Sequence, residues 1–269
     1  MKLIVIISDL HVGSSIGLCS EKGMTLDDGG IYKPSKIQAG IYKCFQRFVE
    51  MAKAVKAETK ILVINGDLVD GDHHNTVALA SNNIQTQEAA AIGILKPVAA
   101  FFDRVYVVRG TEAHTGPGAA SDERIAQAIG AQQTEDGLYS FWQLWLNCDD
   151  ITLNIAHNIG TASSAAYESS APMRELVAAI VEAGQWHTAL PDVVIRSHRH
   201  RYIKVAIPSA DGEIQIAITP GWQMRTPFVE RVNRFSIPQI GGLLCEIEDK
   251  KCRIIPVLYP LKVIQPIKI

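Results

Sequence analysis

The sequence predicts an α/β fold of two packed sheets with helices on the outside, because its pattern changes along the chain. In the first part, short apolar runs typical of buried strands alternate with longer segments of helical spacing. Beyond residue 202, four segments alternate in hydrophobicity or carry β-branched residues, with turn signals between them. With 269 residues, 47% of them hydrophobic, the chain can bury one large core, and we expect a single domain over residues 1–269.

The strands are predicted from apolar runs that end in Gly or in polar residues. Those of the first part are Lys2–Ile7, 61–65, 105–108, 151–156 and 193–195. A further segment, 138–146, is expected to pair with 151–156 through a hairpin turn at 147–150. The strands of the last part form a meander and are 202–207, 213–219, 242–248 and 251–258.

Four helices are predicted between these strands, at 36–56, 84–102, 122–129 and 172–186. The first has apolar residues at helical spacing and Ser35 as its N-cap. The second runs through Gly93 and Pro97, the third ends at Gly130, and the fourth has Pro172 in its first turn. The loop 14–34 is longer than a βα connection requires, which is typical of a lid or specificity loop and equally of a passive insertion.

Asp or His residues follow directly after five of the strand-like runs. The candidate metal ligands among them are Asp9, His11, Asp67, His157, His198 and His200. Polar residues just past the ends of buried strands lie at the mouth of a sheet, where open α/β folds bind ligands. Any one of them alone is better explained as a cap or turn residue, but recurrence at five strand ends is not. Carboxylate and imidazole bind Mn, Fe and Zn, and six ligands suit two ions that share a bridging carboxylate.

The ordered motifs D-x-H, G-D-x-x-D, a G-x-x-x-H variant, a lone His and H-x-H resemble those of the calcineurin-like metallophosphoesterase superfamily, over about residues 1–202. The resemblance implies a four-layer α/β/β/α sandwich of two mixed sheets flanked by helices. It implies two divalent metal ions, with Mn expected and Fe or Zn as alternatives. The first ion would be held by Asp9, His11 and His200, the second by His157 and His198, and Asp67 would bridge them.

The third motif departs from the family pattern. The family usually has Gly-Asn-His followed by Asp or Glu, whereas this chain has Gly110-Thr111-Glu112-Ala113-His114. Thr111 occupies the place of the Asn, which is a ligand of the second metal in the family. A hydroxyl is a poorer neutral ligand than an amide carbonyl, and Glu112 is a stronger ligand than either. Thr111, Glu112 and water therefore remain open as the last ligand, and His114 is the candidate general acid.

The resemblance implies a phosphoesterase that hydrolyses phosphomonoesters or phosphodiesters. Two metal ions lower the pKa of bound water, so that a metal-bound hydroxide can attack phosphorus without a protein nucleophile. Arg199 is the candidate for holding a phosphate oxygen, and the alternative for its basic segment is a solvated loop. A DNA-processing nuclease of the same fold is a rival function, since the strip 196–204 is basic. A non-catalytic scaffold that retains the fold is another, but such a protein should have lost ligands.

Composition limits the partners. The net charge of −2 gives no whole-protein signal for nucleic acid or membrane binding, so nucleic acid is possible without being indicated. Five cysteines without a C-x-x-C pair favour reduced thiols. No segment approaches the ~20 apolar residues of a membrane span, and the first apolar run is too short for a signal peptide. We expect a cytoplasmic protein that acts on a phosphate ester and binds no membrane; its oligomeric state is not predicted.

Five further residues lie near the motifs. Asp70 is expected to cap a turn, and His73 and His74 could reach the metals or substrate but are expected to belong to a solvated loop; His74 lies outside the residues that the structure describes. Trp222 could cover the pocket, but packing in the core is the commoner fate of tryptophan. Arg225 is a weaker candidate for phosphate binding.

Overall fold

Strands from distant parts of the chain alternate within two sheets. The computed structural model describes residues 1–73, 76–160, 165–210, 212–232 and 237–260. Its strands are β1 (Lys2–Ile7), β2 (Met24–Thr25), β3 (Ile31–Tyr32), β4 (Thr59–Asn65), β5 (Arg104–Val108), β6 (Ser140–Phe141), β7 (Leu144–Cys148), β8 (Ile151–Ile155), β9 (Val193–Arg196), β10 (Ile203–Ser209), β11 (Gly212–Ile218), β12 (Ile240–Glu248) and β13 (Lys251–Tyr259).

The first sheet has the strand order β13-β12-β1-β4-β5-β6, in which β1, β4, β5 and β6 are parallel. β12 runs antiparallel to β1 and forms a hairpin with β13. The second sheet has the order β10-β11-β9-β8-β7, with β8, β9 and β11 parallel and an antiparallel strand at each edge. β2 and β3 form a separate two-stranded ribbon. Both main sheets are therefore mixed.

Helices cover the outer faces of the two sheets. They are α1 (Lys36–Ala54), α2 (Ile84–Ala99), α3 (Glu112–Thr115), α4 (Ala120–Ile129), α5 (Ser170–Trp186) and α6 (Pro227–Val232). α1, α2 and α4 pack on the first sheet, and α5 packs on the second. A third apolar cluster lies between the sheets and is built from both. The predicted four-layer α/β/β/α sandwich is confirmed.

Side-chain alternation along β1 shows why the strands are apolar on both faces. Leu3, Val5 and Ile7 pack in the cluster under α1 and α2, whereas Ile4 and Ile6 pack in the cluster between the sheets. Successive strand residues point to opposite faces, so a strand covered on both sides must be apolar at every position. The continuous run Lys2–Ile7 reflects this double burial.

The boundaries of α1 follow from local chemistry. The Ser35 hydroxyl accepts a hydrogen bond from the Gln38 N–H, and the Gln38 side chain accepts one from the Ser35 N–H. This reciprocal capping satisfies two of the N–H groups that a helix start leaves unpaired. The predicted N-cap is confirmed. α2 also runs through Gly93 and Pro97 as predicted.

The prediction of one strand over 138–146 is wrong. The segment divides into β6, which pairs with β5 in the first sheet, and β7, which pairs with β8 in the second. The hairpin between β7 and β8 does form, but its turn is shorter than predicted, because only Asp149 and Asp150 lie outside the two strands. Both of these residues have positive φ, as a two-residue hairpin turn of the type I′ class requires. The short elements β2, β3, α3 and α6 were not predicted.

Trp222 belongs to the core. Its side chain is fully buried, and its ring contacts Phe45 edge-on, with the ring centroids 5.1 Å apart. Its backbone N–H donates to the carbonyl of Asp9 at 2.9 Å, so the residue also ties the loop after β11 to the loop after β1. The prediction of core packing is confirmed.

None of the helices in the described ranges is long and apolar enough to cross a membrane.

Candidate metal centre

The loops at the carboxyl ends of β1, β4, β8 and β9 bring the six predicted ligands together. Their backbone is unusual, because five of the six have positive φ: Asp9 (53°), His11 (45°), Asp67 (53°), His198 (72°) and His200 (51°). For a residue with a side chain this conformation costs about 1–2 kcal/mol relative to the right-handed region. Strained backbone of this kind is concentrated at functional sites, where the surrounding structure enforces it.

Two glycines make room for this convergence. Gly66 has a φ of +80°, and a Cβ there would lie 2.5 Å from Nδ1 of His157. A Cβ on Gly110 would lie 2.2 Å from Oδ1 of Asp67. Both distances are far inside van der Waals contact, so the close approach of these loops requires glycine. The glycines that precede Asp67 and Thr111 in the motifs therefore have a packing role.

Asp9, His11 and His200 form the first ligand group. Nε2 of His200 lies 3.2 Å from Oδ1 of Asp9 and 3.2 Å from Nε2 of His11. Asp9 and His11 are fully buried. Burial raises the pKa of the Asp9 carboxyl, but the charges of His200 and His157 outweigh it and hold the pKa below its usual range. The group is a buried anion faced by imidazole nitrogens.

Asp67, His157 and His198 form the second ligand group. Nε2 of His157 lies 3.1 Å from Oδ2 of Asp67, and the rings of His157 and His198 are 5.5 Å apart. Burial lowers the pKa of His157, but Asp67 and Asp9 outweigh it and hold the pKa above its usual range. Asp67 also forms a compact group with His11 and His114, so this carboxylate joins the two ligand groups.

The spacing of the donor atoms fits two cations. Imidazole nitrogen binds zinc at about 2.0–2.1 Å, so two donors on one ion lie about 2.8–3.4 Å apart at octahedral or tetrahedral angles. The three distances of 3.1–3.2 Å within the two groups match that spacing. Oδ1 of Asp9 and Nε2 of His157 are buried, and neither makes a well-aligned hydrogen bond with a described residue. Each faces another candidate ligand atom, Nε2 of His200 at 3.2 Å and Oδ2 of Asp67 at 3.1 Å, and a cation at each group would satisfy these facing atoms together.

Hydrogen bonds behind the ligands orient two of the imidazoles. Nδ1 of His157 lies 2.6 Å from the carbonyl oxygen of Asn65. A carbonyl oxygen can only accept a hydrogen bond, so Nδ1 carries a proton and Nε2 is the ring nitrogen that faces the candidate metal site. Nδ1 of His11 donates to Oδ1 of Asp70 at 3.0 Å. Gln223 donates to the same oxygen at 2.9 Å. Ligand histidines in metalloproteins are typically held in this way.

The interpretation of Asp70 as a turn cap is therefore incomplete. Its carboxylate is buried and positions His11. Burial raises the pKa of Asp70, but His11 and His73 outweigh it and hold the pKa below its usual range. The D-x-x-D spacing was visible in the sequence, but Gln223 lies 153 residues away from Asp70 and no sequence signal connects the two.

The structure distinguishes two of the three alternatives for the third motif, Thr111 and Glu112. Thr111 lies at the site, where its N–H and its hydroxyl both donate to Oδ1 of Asp67, at 2.7 and 3.0 Å. Glu112 is exposed and accepts a hydrogen bond from the N–H of Gly118, outside the Asp and His groups of the described residues. The alternative in which Glu112 completes the second metal is not supported by this position. Thr111 holds the carboxylate that joins the two groups.

His114 lies beside the first ligand group. Its ring is edge-on to His11 with the centroids 4.4 Å apart, and its Nδ1 donates to the carbonyl of Asp70 at 2.7 Å. Nε2 is thus the atom available to the site. Burial and the positive charge of His11 lower the pKa of His114 to about 4. The prediction of a solvated His73 is wrong, because this side chain is largely buried and its ring lies 4.2 Å from that of His114.

The basic strip 196–204 is largely neutralised. Arg196 is buried and pairs with Glu175, Arg201 pairs with Glu168 at 2.9 Å, and Lys204 lies 3.6 Å from Glu213. Arg199 differs, because its recorded hydrogen bond goes to the backbone carbonyl of Glu168 at 3.2 Å. Arg199 lines a pocket with His198 and His200. Of the three arginines of this strip, Arg199 is the one that lines this pocket.

Asp122 is a buried residue of the site that the sequence did not reveal. Its carboxylate accepts from the N–H of Gly110 at 2.7 Å and from the N–H of Leu68 at 3.3 Å. It therefore ties together the two loops that carry Asp67 and Thr111. Burial, with the charge of Asp67, raises its pKa to about 7. In the sequence Asp122 looks like an ordinary acidic residue in the first turn of a helix, where acidic residues are common, so its position alone does not indicate a role in the site.

Comparison with known families supports the resemblance seen in the motifs. Residues 2–110 match the model of the family described as calcineurin-like phosphoesterase. The match includes the first two motifs and ends at Gly110, the first residue of the third motif, and the two histidine motifs lie beyond it. Comparison with curated protein sequences gives no match.

Comparison with solved structures gives several likenesses, each with a TM-score below 0.5. The zinc complex of Vps29 from Entamoeba histolytica is 11% identical, with 95% of this chain and 98% of that chain covered and a TM-score of 0.42. A metallophosphoesterase from Sphaerobacter thermophilus is 11% identical, with 96% and 89% covered and a TM-score of 0.39. The sulfate thiohydrolase SoxB of Thermus thermophilus is 8% identical, with 96% and 56% covered and a TM-score of 0.44. Identities this low say nothing about substrate.

Asp122→Asn should loosen the site without removing a ligand. The amide oxygen can accept from one backbone N–H, but the amide NH₂ then faces the other, which leaves a buried donor unsatisfied at a cost of about 1–3 kcal/mol. Urea unfolding should show that loss, and titration with Mn²⁺ should show weaker binding. Asp136→Asn, at an exposed position, is the control and should change stability by less than about 0.5 kcal/mol. Unchanged stability and Mn²⁺ affinity in Asp122→Asn would show that the carboxylate does not hold the loops.

Proposed function

We propose that this chain, whose residues 2–110 match the calcineurin-like phosphoesterase family, is a phosphoesterase that uses two divalent metal ions to hydrolyse phosphate esters. The observation that carries the proposal is the convergence of two Asp and His groups that share Asp67 as a neighbour. The proposed ligands of the first ion are Asp9, His11 and His200. Those of the second are His157 and His198, and Asp67 would be shared by both ions. Mn²⁺ is the proposed metal.

When bound, two such ions would lower the pKa of coordinated water and neutralise charge on the phosphoryl oxygens. The side chains themselves must provide a rigid, negatively charged frame. Thr111 fixes Asp67 through two hydrogen bonds, and the pair of Asp70 and Gln223 fixes the ring of His11. The low pKa of Asp9 and of Asp67 keeps both carboxylates charged at neutral pH, which a cation site needs.

Arg199 would orient the phosphate. It is half-buried next to His198 and His200. The charge of Glu168 acts on the Arg199 guanidinium, but Glu168 is already paired with Arg201. A guanidinium in this situation can donate two parallel hydrogen bonds to phosphoryl oxygens. Arg199 therefore supplies the one positive side chain of the strip that is left for an anion.

His114 would move a proton at the leaving oxygen. Because its pKa is lowered to about 4, the ring is neutral at neutral pH and its Nε2 has a free lone pair. It can protonate a leaving group only after Nε2 has itself taken up a proton, and an incoming phosphate anion favours that uptake. The same lone pair could instead bind a cation, since His114 forms a group with His11 and Asp67. Kinetics separate these roles.

The two rival functions are less well supported. A scaffold that had lost catalysis should have lost ligands, whereas the six candidate ligands of this chain fall within groups of Asp and His side chains that could hold a metal ion. A nuclease that binds nucleic acid by itself needs a basic surface, but the positive charges of Arg196, Arg201 and Lys204 are paired with acidic residues.

Asp67→Asn should abolish hydrolysis of p-nitrophenyl phosphate and bis(p-nitrophenyl) phosphate by the Mn²⁺-loaded protein. The amide keeps the size of the side chain but removes the charge between the two ligand groups. Asp72→Asn, five residues along and exposed, is the matched control and should retain wild-type turnover. Absence of Mn²⁺-dependent hydrolysis in the wild type, or near-normal turnover in Asp67→Asn with saturating Mn²⁺, would contradict the proposal.

His114→Ala should lower kcat by a factor of about 10²–10⁴ for substrates with a poor leaving group, the range typical of lost acid–base catalysis. The loss should be smaller for p-nitrophenolate, which leaves without a proton. The Mn²⁺ concentration for half-maximal activity should not change, because the variant retains the six proposed ligands. A marked rise in that concentration would instead identify His114 as a metal ligand.

A further inference from the structure

We propose that a second copy of this chain docks on the open edge of the second sheet, so that the protein forms a two-fold symmetric dimer through β10 and α5. Three features carry the proposal: the open edge of β10, an exposed apolar stripe on α5, and charges that complement each other across a two-fold axis. All three belong to the second sheet and its helix, so the proposal does not depend on the proposed phosphoesterase activity.

β10 is an edge strand with one open side. Among the described residues it pairs with β11 and with no other strand. Residues of an antiparallel strand point their N–H and C=O groups alternately towards one side and the other. Pro208 has no N–H, which places it on the side away from β11. Ala206 and Lys204 share that side, so their N–H and C=O groups form a template on which another strand can pair.

The edge of β10 is complementary to itself. In an antiparallel pair of copies centred on Val205, Lys204 of each copy lies opposite Ala206 of the other, and their open N–H and C=O groups bond to each other. Pro208 then lies opposite Tyr202, whose N–H already donates to a side chain of its own chain at 2.6 Å. The ladder therefore ends at the proline without leaving an N–H unpaired.

The same register joins apolar side chains on the outer face of the sheet. Ile203, Val205 and Ile207 lie on the face that α5 covers, where they are half-buried against the apolar cluster under that helix. Pairing centred on Val205 places Ile203 opposite Ile207 of the second copy, and Val205 opposite Val205. Side chains directly opposite on one face are close enough to pack. The two copies thus form one continuous sheet with an apolar row across the seam.

An exposed apolar stripe runs along α5. Met173, Val177 and Val181 follow one another at four-residue spacing, which places them on one flank of the helix. They are 39%, 44% and 46% exposed, although α5 buries other apolar residues against the sheet. Single exposed apolar residues are ordinary, but a contiguous group of them marks an interaction surface.

The stripe faces the open edge of β10. Glu175 and Val177 lie on opposite flanks of the helix, on either side of the fully buried Leu176. Glu175 pairs with Arg196 of β9, and Arg196 in turn donates to a side chain of β8. The flank with Val177 is therefore directed away from β8 and β9, towards β10. In a dimer built on β10, the two stripes face each other above the apolar row.

Charges on the other face of the sheet favour a second copy as the partner. Lys204 lies near one end of the open edge, and Glu213 is the β11 partner of Pro208 at the other end. Within one chain the two charges are 3.6 Å apart, and both side chains are partly exposed. Two-fold pairing brings the Lys204 end of each copy beside the Glu213 end of the other. The seam then gathers two positive and two negative charges, which suits this chain itself better than a partner of uniform charge.

Sedimentation equilibrium of the full chain tests the proposal. The wild type is expected to form a dimer that dissociates on dilution. Ala206→Pro removes an N–H at the open edge, and Pro208 shows that this side of the strand accepts proline. The variant should raise the Kd of the dimer by at least about tenfold, because the two-fold axis doubles each lost hydrogen bond.

A matched pair of variants tests the helix. Val177→Asp places a charge in the apolar stripe, where the dimer would bury it, and should also raise the Kd by at least about tenfold. Ala178→Asp is the control, because Ala178 is exposed on the side of α5 opposite the buried Leu176. It should leave the Kd unchanged. Thermal unfolding shows that each variant is folded.

A charge exchange tests the register. Lys204→Glu gathers four negative charges at the seam and Glu213→Lys gathers four positive ones, so each should weaken the dimer. The double variant restores the balance and should return the Kd to near the wild-type value.

Three outcomes would overturn the proposal. The first is a wild type that stays monomeric at every concentration. The second is a dimer whose Kd does not change in either Ala206→Pro or Val177→Asp, since that dimer would use another surface. The third is a double charge variant that is weaker than both single variants, because the two charges would then not meet across the axis.

Discussion

The arrangement of this protein depends on two buried carboxylates, Asp9 and Asp67, each fully enclosed at the ends of parallel strands. A charged carboxylate in a protein interior is costly unless opposite charge or hydrogen bonds compensate it. Here imidazoles face both carboxylates, the backbone N–H of His198 donates to Asp9, and the N–H and hydroxyl of Thr111 donate to Asp67. The loops after β1, β4, β8 and β9 must therefore converge, and the glycines and left-handed residues of the motifs follow from that requirement.

The same constraint accounts for the residues behind the ligands. Asp70 and Gln223 fix His11, the carbonyl of Asn65 fixes His157, and Thr111 fixes Asp67. Each of these contacts joins separate segments of the chain, so the centre also holds the two sheets together at this edge. Strain of about 1–2 kcal/mol at each left-handed side chain has to be offset by that network and by the cores on either side.

The sequence predicted the sheets and helices of the sandwich and the candidate ligands because both depend on patterns of neighbouring residues. Doubly buried strands are continuous apolar runs, and Asp or His at successive strand ends marks the edge where they meet. It did not predict the division of 138–146 between β6 and β7, because which sheet a short strand joins is decided by distant partners. Asp122 and Gln223 were missed, and His73 was wrongly assigned to a solvated loop, for the same reason: their roles depend on neighbours far along the chain. Thr111 was identified, but only the structure shows that it holds Asp67 while Glu112 is exposed.

The most direct test of this account is a crystal of the Mn²⁺-loaded protein, examined by anomalous scattering at the manganese absorption edge. The account predicts two peaks about 3.5–4 Å apart, the spacing of two-metal sites. One should lie among Asp9, His11 and His200, the other between His157 and His198, with Asp67 contacting both. A single peak, or two peaks that do not share Asp67, would contradict it.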